Sequence, residues 1–196
     1  MARVGKCDRS TSETEVGVRL DLDGSGAADV STGIPFFDHM LALMFHHALI
    51  DVEIKARGDL EVDSHHTVED VGLAAGAALS EALGSGAGIT RFGQALVPMD
   101  ECLAEAAIDI SGRPHLSYEV DVETEPLGNF EPGLAREFFQ AFVNQGALTL
   151  HLTLRRGSGV HHGLEACFKA VGRALKQGVA LDPRVRGVPS TKGSLS

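Results

Sequence analysis

The chain predicts an α+β fold made of two similar halves, and three observations carry that expectation. Apolar residues alternate with polar ones over several strand-length segments. They recur at helical spacing over four other segments. The strand–helix–strand–helix order then runs twice along the 196 residues. The repetition includes a signature. "DSHHTVEDVG" at 63–72 holds His65, His66 and Glu69, and "GVHHGLEACF" at 159–168 holds His161, His162 and Glu165, ninety-six residues later.

In chain order, Val16, Val18, Leu20 and Leu22 alternate with polar residues and "DGSG" follows, so residues 13–33 read as a hairpin. "PFFDHMLALMFHHAL" reads as a helix, with Pro35 at its start, where a missing N–H costs nothing. "DVEIKARGDLEV" alternates again and turns at "RGD". Thr67 to Leu83 reads as a helix whose Gly and Ala residues permit close packing. In the second half, "LVPMDECLAEAAIDISGRPHLSYEVDV" reads as two strands hinged at "SGRP". "LAREFFQAFVNQGA" is a helix, "LTLHLTLRRGSG" a strand, and "HHGLEACFKAVGRALKQGV" a long helix. "LDPRVRGVPSTKGSLS" is an irregular tail.

Overlaying the halves sets "FDHMLALMFHH" on "AREFFQAFVNQ", which puts His39 opposite Glu137. From there the chain runs 26 residues to His65 in one half and 24 to His161 in the other. The expectation is one domain of two repeats, about 1–92 and 93–187, with a tail at 188–196, each sheet being covered by helices on one side.

Composition narrows the function. A formal net charge of −10 argues against nucleic acid or an anionic membrane as partner, while still allowing a local basic pocket for a small anion. The three cysteines, Cys7, Cys102 and Cys167, are scattered and odd in number, which suits free thiols in a reducing compartment. The start "MARVGKCDRSTSE" has no apolar core and no apolar run approaches membrane-spanning length, so the expected location is the cytoplasm.

On a helix, residues i and i+4 share a face, so His65 converges with Glu69 and His161 with Glu165. The second histidine of each pair is turned roughly 100° away. Adjacent histidines therefore suit two ions, or one ion and a contact across an interface. Imidazole and carboxylate without thiolate suit Mn²⁺, Fe²⁺ or Zn²⁺ with open positions rather than a closed structural zinc site. With His39 and its counterpart Glu137, eight candidate ligands form two sets of four: His39, His65, His66, Glu69, Glu137, His161, His162 and Glu165. A single HHxxE would equally serve as an ordinary helix start, with Asp63 or Ser64 as cap; two copies in register favour metal. One of His46 and His47 is expected in the helix interface, with His47 facing the site. His115, His151, Cys102 and Cys167 are read as structural.

Arg91, Arg113, Lys169 and Lys192 each lie beside a turn or a helix start, and Ser190, Thr191 and Lys192 on a Gly-flanked tail suit a phosphate latch. There is no GxxxxGK[ST] loop for a nucleotide.

Taken together, "GIPFFDHML", "DSHHTVEDVG", "ITRFG", "PMDE", "DISGRP", "HHGLEACFKA" and "DPRVRGVPSTKG" resemble the imidazoleglycerol-phosphate dehydratase family, in order from Glu13 to Lys192. The resemblance implies a ribosomal-protein-S5-domain-2-like fold and dehydration of imidazole glycerol phosphate to imidazole acetol phosphate in histidine biosynthesis. It implies two Mn²⁺ ions per active site and a 24-subunit shell with sites between subunits. The family's metal ligands match His39, His65, His66, Glu69, His161, His162 and Glu165. Its substrate contacts match Glu13, His47, Arg91, Arg113, Lys169, Ser190 and Lys192. Where the family usually has histidine in an "HFF" segment, this chain has Glu137, and glutamate also ligates Mn²⁺.

The expected chemistry holds the substrate ring as a metal-bound imidazolate, so that a C–H of low acidity is lost and a hydroxide expelled. Glu165, Glu69 or Glu13 acts as general acid/base. Two other readings stand beside it. One is a dinuclear metallohydrolase on a small phosphate ester, which would release phosphate; the other is a metal-locked assembly without catalysis.

Overall fold

The computed structural model describes residues 2–195, so position 1 of the expected first half and position 196 of the expected tail lie outside it. The first half runs β1 (Val4–Ser10), β2 (Thr14–Asp21), β3 (Ala28–Ser31), α1 (Pro35–Ala48), β4 (Asp51–Gly58) and α2 (His65–Leu83). The second runs β5 (Phe92–Met99), β6 (Cys102–Asp109), β7 (His115–Glu119), α3 (Leu134–Gly146), β8 (Thr149–Arg156) and α4 (Val160–Val179). Each half makes a four-stranded sheet in the same order, β1-β2-β4-β3 and β5-β6-β8-β7. In both, the first three strands pair antiparallel and the last pairs parallel. Helices α1 and α3 both end on a non-glycine residue in the left-handed region, Leu49 (φ 55°) and Ala147 (φ 49°). These two are separated by the same interval as His39 and Glu137, so the backbone register agrees with the sequence overlay.

Residues 13–33 do not form the expected hairpin. β4 inserts between β2 and β3, because its Val52 and Ile54 face Leu20 and Val18 across the antiparallel ladder. A four-residue β3 offers far less apolar pairing and joins the other edge of β4 in parallel. The true partner of β2 is β1, "VGKCDRS", which shows no apolar alternation and so gave no strand signal. Likewise the segment expected to hold two strands hinged at "SGRP" holds three. β5 and β6 turn at Asp100 and Glu101, and β7 pairs with β8 rather than β6. Helix α2 begins two residues before Thr67. The Asp63 carboxylate accepts the His65 N–H at 2.7 Å, while Ser64 makes no cap and donates instead to the Asn129 carbonyl at 2.6 Å.

The two sheets flank the four helices, which pack across the halves: α1 lies on α4, and α2 on α3. One buried cluster draws on both halves, and Phe37 of α1 meets Phe138 of α3 at 5.3 Å while Phe138 stacks on Phe168 of α4 at 5.6 Å. Burying each such ring contributes about 1.5–3 kcal/mol. Glycine sets the helix separations. A Cβ on Gly172 would lie 2.2 Å from the Met44 carbonyl oxygen, and one on Gly76 would lie 2.4 Å from that of Phe142. A further tie joins the β1–β2 hairpin to α2: the buried Asp70 carboxylate accepts from Arg9 Nε at 2.8 Å and from the Thr14 hydroxyl. Among the described residues no helix is long and apolar enough to cross a membrane.

Two predictions follow from this packing. A Cβ on Gly5 of β1 would lie 1.9 Å from the Ala78 carbonyl oxygen of α2, and one on Gly93 of β5 equally close to that of Ala174 in α4. Gly5→Ala and Gly93→Ala should therefore each destabilise by about 1–3 kcal/mol or more in chemical denaturation, because backbone rather than a flexible side chain must move. Asp51 accepts the N–H groups of Ala27, Ser25 and Gly26 at 2.8, 2.8 and 2.9 Å, and these bonds hold its carboxyl below the ordinary value of 3.8. Its stabilising effect is present above that ordinary value and is lost as pH falls through the depressed one. Asp51→Ala should lower the urea midpoint at neutral pH, and the gap to the parent should close in acid.

Candidate active site

The N-terminal ends of α1, α2 and α4 come together at one end of the molecule. Phe36 of α1 meets His161 of α4 at 5.3 Å and Phe130, in the loop before α3, at 5.4 Å; beside Phe130, the Asn129 carbonyl accepts from Ser64 at the start of α2, and its side-chain amide donates to the Gly33 carbonyl before α1 at 3.5 Å. Because α1 lies on α4, His39 meets the second HHxxE signature. Glu165 Oε2 lies 3.2 Å from His161 Nε2 and 3.7 Å from His39 Nε2, and the three donor atoms are all within 4.8 Å of one another. Glu165 is 7% exposed, so an unpaired charge there would be costly. Burial pushes its carboxyl up, but Lys169, whose Nζ sits 2.5 Å from Oε1, pulls it below the usual carboxylate range with help from His161 and His39. His47, near Lys169, is driven below the ordinary imidazole value by burial and then by the charges of Lys169, His46 and Arg173, which favours its neutral form.

The first signature is more open. His65 Nε2 and Glu69 Oε2 stand 3.9 Å apart on the exposed face of α2. Glu137, the overlay partner of His39, lies 3.6 Å from Arg136, and among the described residues it does not converge with His65 and Glu69 as the first triad does. A cleft of about 390 Å³ opens beside His65, walled in part by Asp63 and Glu131. The rings of His66 and His162 stand edge-on to those of His65 and His161, with centroids 6.2 and 5.9 Å apart, and each reaches partners that its neighbour does not. His66 Nδ1 reaches Asp59 Oδ2 at 3.1 Å and Glu13 Oε2 at 3.7 Å. His162 Nδ1 reaches Glu101 Oε2 at 2.9 Å and Asp100 Oδ2 at 4.0 Å. These hydrogen bonds, with Asp59 and Glu101 respectively, raise both imidazoles above their ordinary value.

Asp59, Asp100 and Glu101 were not singled out by the sequence. The available signal was an acidic pair at the hairpin turn in "PMDE", with Asp100 in the left-handed region at φ 47°.

The expected phosphate contacts divide. Lys169 lies at the donor end, whereas His47 sits in the α1–α4 interface, its Cβ beside Gly172, eleven residues beyond His161. Arg91 lies at the other end: its N–H donates to the Gly178 carbonyl at 2.9 Å, near the close of α4. Gly178 is seventeen residues beyond His161, about 26 Å along a helix. Arg91 grips Asp109 through Nε at 2.6 Å and Nη2 at 3.1 Å, and its Nη1 donates to the Pro189 carbonyl at 2.9 Å, which holds the tail in place. The Arg113 loop closes beside it, because the Ile110 N–H donates to the Arg91 carbonyl. Ser190, Thr191 and Lys192 follow Pro189 directly, and Ser190 Oγ accepts the Lys192 N–H at 3.2 Å. One chain thus carries imidazole and carboxylate donors at one end and the arginine-bound tail at the other. Cys102 and Cys167 are buried, as expected for core residues, and burial pushes the Cys167 thiol up to about 12.

A twice-repeated α+β chain with an imidazole–carboxylate cluster at its helix starts has the side-chain chemistry of an enzyme centre. The family model for imidazoleglycerol-phosphate dehydratase matches residues 32–175. The imidazoleglycerol-phosphate dehydratase of Geobacter sp. (strain M21) is 52% identical over 195 residues, covering 100% of both chains. That of Granulibacter bethesdensis is 53% identical over 196 residues, again covering 100% of both. The crystal structure of the Staphylococcus aureus dehydratase superposes with a TM-score of 0.82 at 35% identity, covering 91% of this chain and 99% of that one. The Pyrococcus furiosus structure gives 0.82 at 33% identity, covering 96% and 99%. The chain belongs to the imidazoleglycerol-phosphate dehydratase family, a hydro-lyase of histidine biosynthesis.

The Arg91 clasp yields a further expectation. Asp109→Ala removes both charge-assisted bonds that orient the guanidinium, so Arg91 should lose its hold on Pro189. Trypsin should then cut the tail several-fold faster at Arg186 and Lys192, while cleavage elsewhere stays at the parent rate.

Proposed function

We propose that the protein dehydrates imidazole glycerol phosphate with two Mn²⁺ ions per active site, in the cytoplasm, as a 24-subunit shell whose sites lie between subunits. One observation carries the shared site: the donor end and the arginine-bound tail, the expected anion grip, stand about 26 Å apart along α4, farther than one small substrate reaches. A second copy must bring its grip to the first copy's donors.

The donor chemistry fits Mn²⁺. His39, His161 and Glu165 offer two nitrogens and a carboxylate with no thiolate, which suits an ion of borderline hardness with positions left for substrate. By the repeat, His65 and Glu69 would take the equivalent role, with Glu137 as a third donor if its side chain turned from Arg136. His66 and His162, facing outward, would serve ions held mainly by a neighbouring copy. Bound there, the two ions would supply Lewis-acid polarisation of the substrate's imidazole nitrogens.

The chain's own residues do the rest. Arg91, Arg113, Ser190, Thr191 and Lys192 of one copy would clamp the phosphate, aligning the reacting carbons over the donors of another. Lys169 keeps Glu165 ionised and so occupied as a donor. His47, favoured as the neutral ring, can accept a hydrogen bond from a substrate hydroxyl. Of the three candidate acid/base glutamates, Glu13 is best suited to moving a proton: it is half exposed, on a hairpin tip, and 3.7 Å from His66. It would take the proton from the carbon beside the ring and return one to the departing hydroxide.

Protein stripped by chelator and reloaded with Mn²⁺ should convert imidazole glycerol phosphate to an enolisable ketone with no release of inorganic phosphate. Phosphate release would favour the metallohydrolase reading instead. Glu13→Gln should lower kcat about 10²–10⁴-fold with little change in KM. His161→Ala and Arg91→Ala should each be inactive alone, yet shells co-expressed from both should recover activity. No recovery would count against a site shared between copies.

A further inference from the structure

Each outward-facing histidine is held at the same ring atom by a carboxylate that no expected role uses. Asp59, in the loop between β4 and α2, reaches His66 Nδ1 at 3.1 Å; Glu101, in the β5–β6 turn, reaches His162 Nδ1 at 2.9 Å. The two carboxylates do not occupy equivalent places in the repeat. In the overlay Asp59 falls on Gly157, which has φ 82° and where a Cβ would lie 2.5 Å from Cys102 Sγ. No side chain fits there, and the second half draws its carboxylate from the hairpin turn. The first half keeps the counterpart of Glu101 as well: Glu13, at the same place in the β1–β2 turn, lies 3.7 Å from His66 Nδ1, so a turn carboxylate beside this histidine is common to both halves and Asp59 is a closer carboxylate added in the first.

Stability does not explain the contact. The histidine side chains are 35% and 38% exposed, and solvent-exposed pairs of this kind contribute little to folding. The contact does fix the ring chemistry. An ionised carboxylate can only accept, so the proton must sit on Nδ1, and the neutral ring then presents its lone pair at Nε2. A histidine tied back to a carboxylate in this way is oriented and made more basic toward a cation on its far nitrogen.

Resting on the Mn²⁺ reading above, we propose that Asp59 and Glu101 are paired positioning residues, which aim Nε2 of His66 and His162 outward at ions held mainly by a neighbouring copy.

The test titrates metal-free full-length protein with Mn²⁺, reading free Mn²⁺ by electron paramagnetic resonance. Asp59→Ala and Glu101→Ala should each weaken one class of Mn²⁺ site by about 10–100-fold, and the double variant should weaken both. Asp59→Asn and Glu101→Gln, which keep an accepting oxygen, should recover part of that loss. The metal-free melting temperature should stay at the parent value throughout; a fall that tracks the lost affinity would make the role structural and overturn the proposal. Parent-like Mn²⁺ binding in the alanine variants, with binding lost in His66→Ala and His162→Ala, would overturn the positioning role and leave the manganese reading intact. Parent-like binding in the histidine variants as well would overturn both.

Discussion

Glycine-permitted contact between helices of opposite halves is the constraint on which the rest of this molecule depends. α1 rests on α4 because Gly172 lets the Met44 backbone come within the space a side chain would fill, and α2 rests on α3 through Gly76 in the same way. Interiors pack without slack, so a few tenths of an ångström at such a seam displace whatever the helices carry. What they carry is His39 on one side and His161 with Glu165 on the other. The donor triad therefore belongs to neither half: duplication supplied two incomplete sets, and crossing the helices completes the one that is assembled.

The same seam governs the electrostatics. Glu165 is buried where two helices meet, and its charge is tolerable because Lys169, one turn on, lies against it. The chain is strongly acidic overall, yet basic side chains stand at both ends of α4: Lys169 against Glu165 at one, and Arg91, aligned by Asp109, at the other.

Much of this was legible in the sequence, for identifiable reasons. Helices announced themselves through Pro35 and through apolar spacing, and α1, α3 and α4 lie where that spacing put them. The doubled HHxxE could be read because i, i+4 geometry is local. Strand pairing could not be read. β1 hides behind "VGKCDRS", where one face packs on α2 through Gly5 rather than through an apolar side chain. The β2–β3 turn misled because "DGSG" marks a change of direction without saying which strand will fill the gap. At the site, i, i+4 spacing paired His161 with Glu165, but that His39 joins them across the α1–α4 seam was not readable from the sequence. The separation of Arg91 from the histidines depends on which end of α4 each one meets, and single-sequence patterning carries no information on that. That Asp59 and Glu101 stand behind His66 and His162 could not be read for the same reason, since they approach from other elements, although the acidic pair in "PMDE" was a visible signal.

Asp70 has a role that its neighbours make consequential. It follows Glu69 directly, and it is bonded to Thr14, which follows Glu13 directly. One buried carboxylate therefore fixes the relative standing of two glutamates that sit on different elements, and Arg9 completes the knot. The hairpin tip cannot fray while the start of α2 stays formed. On warming, the turn that carries Glu13 and the helix start that carries Glu69 would come loose together, so the loss of both positions would be abrupt instead of graded.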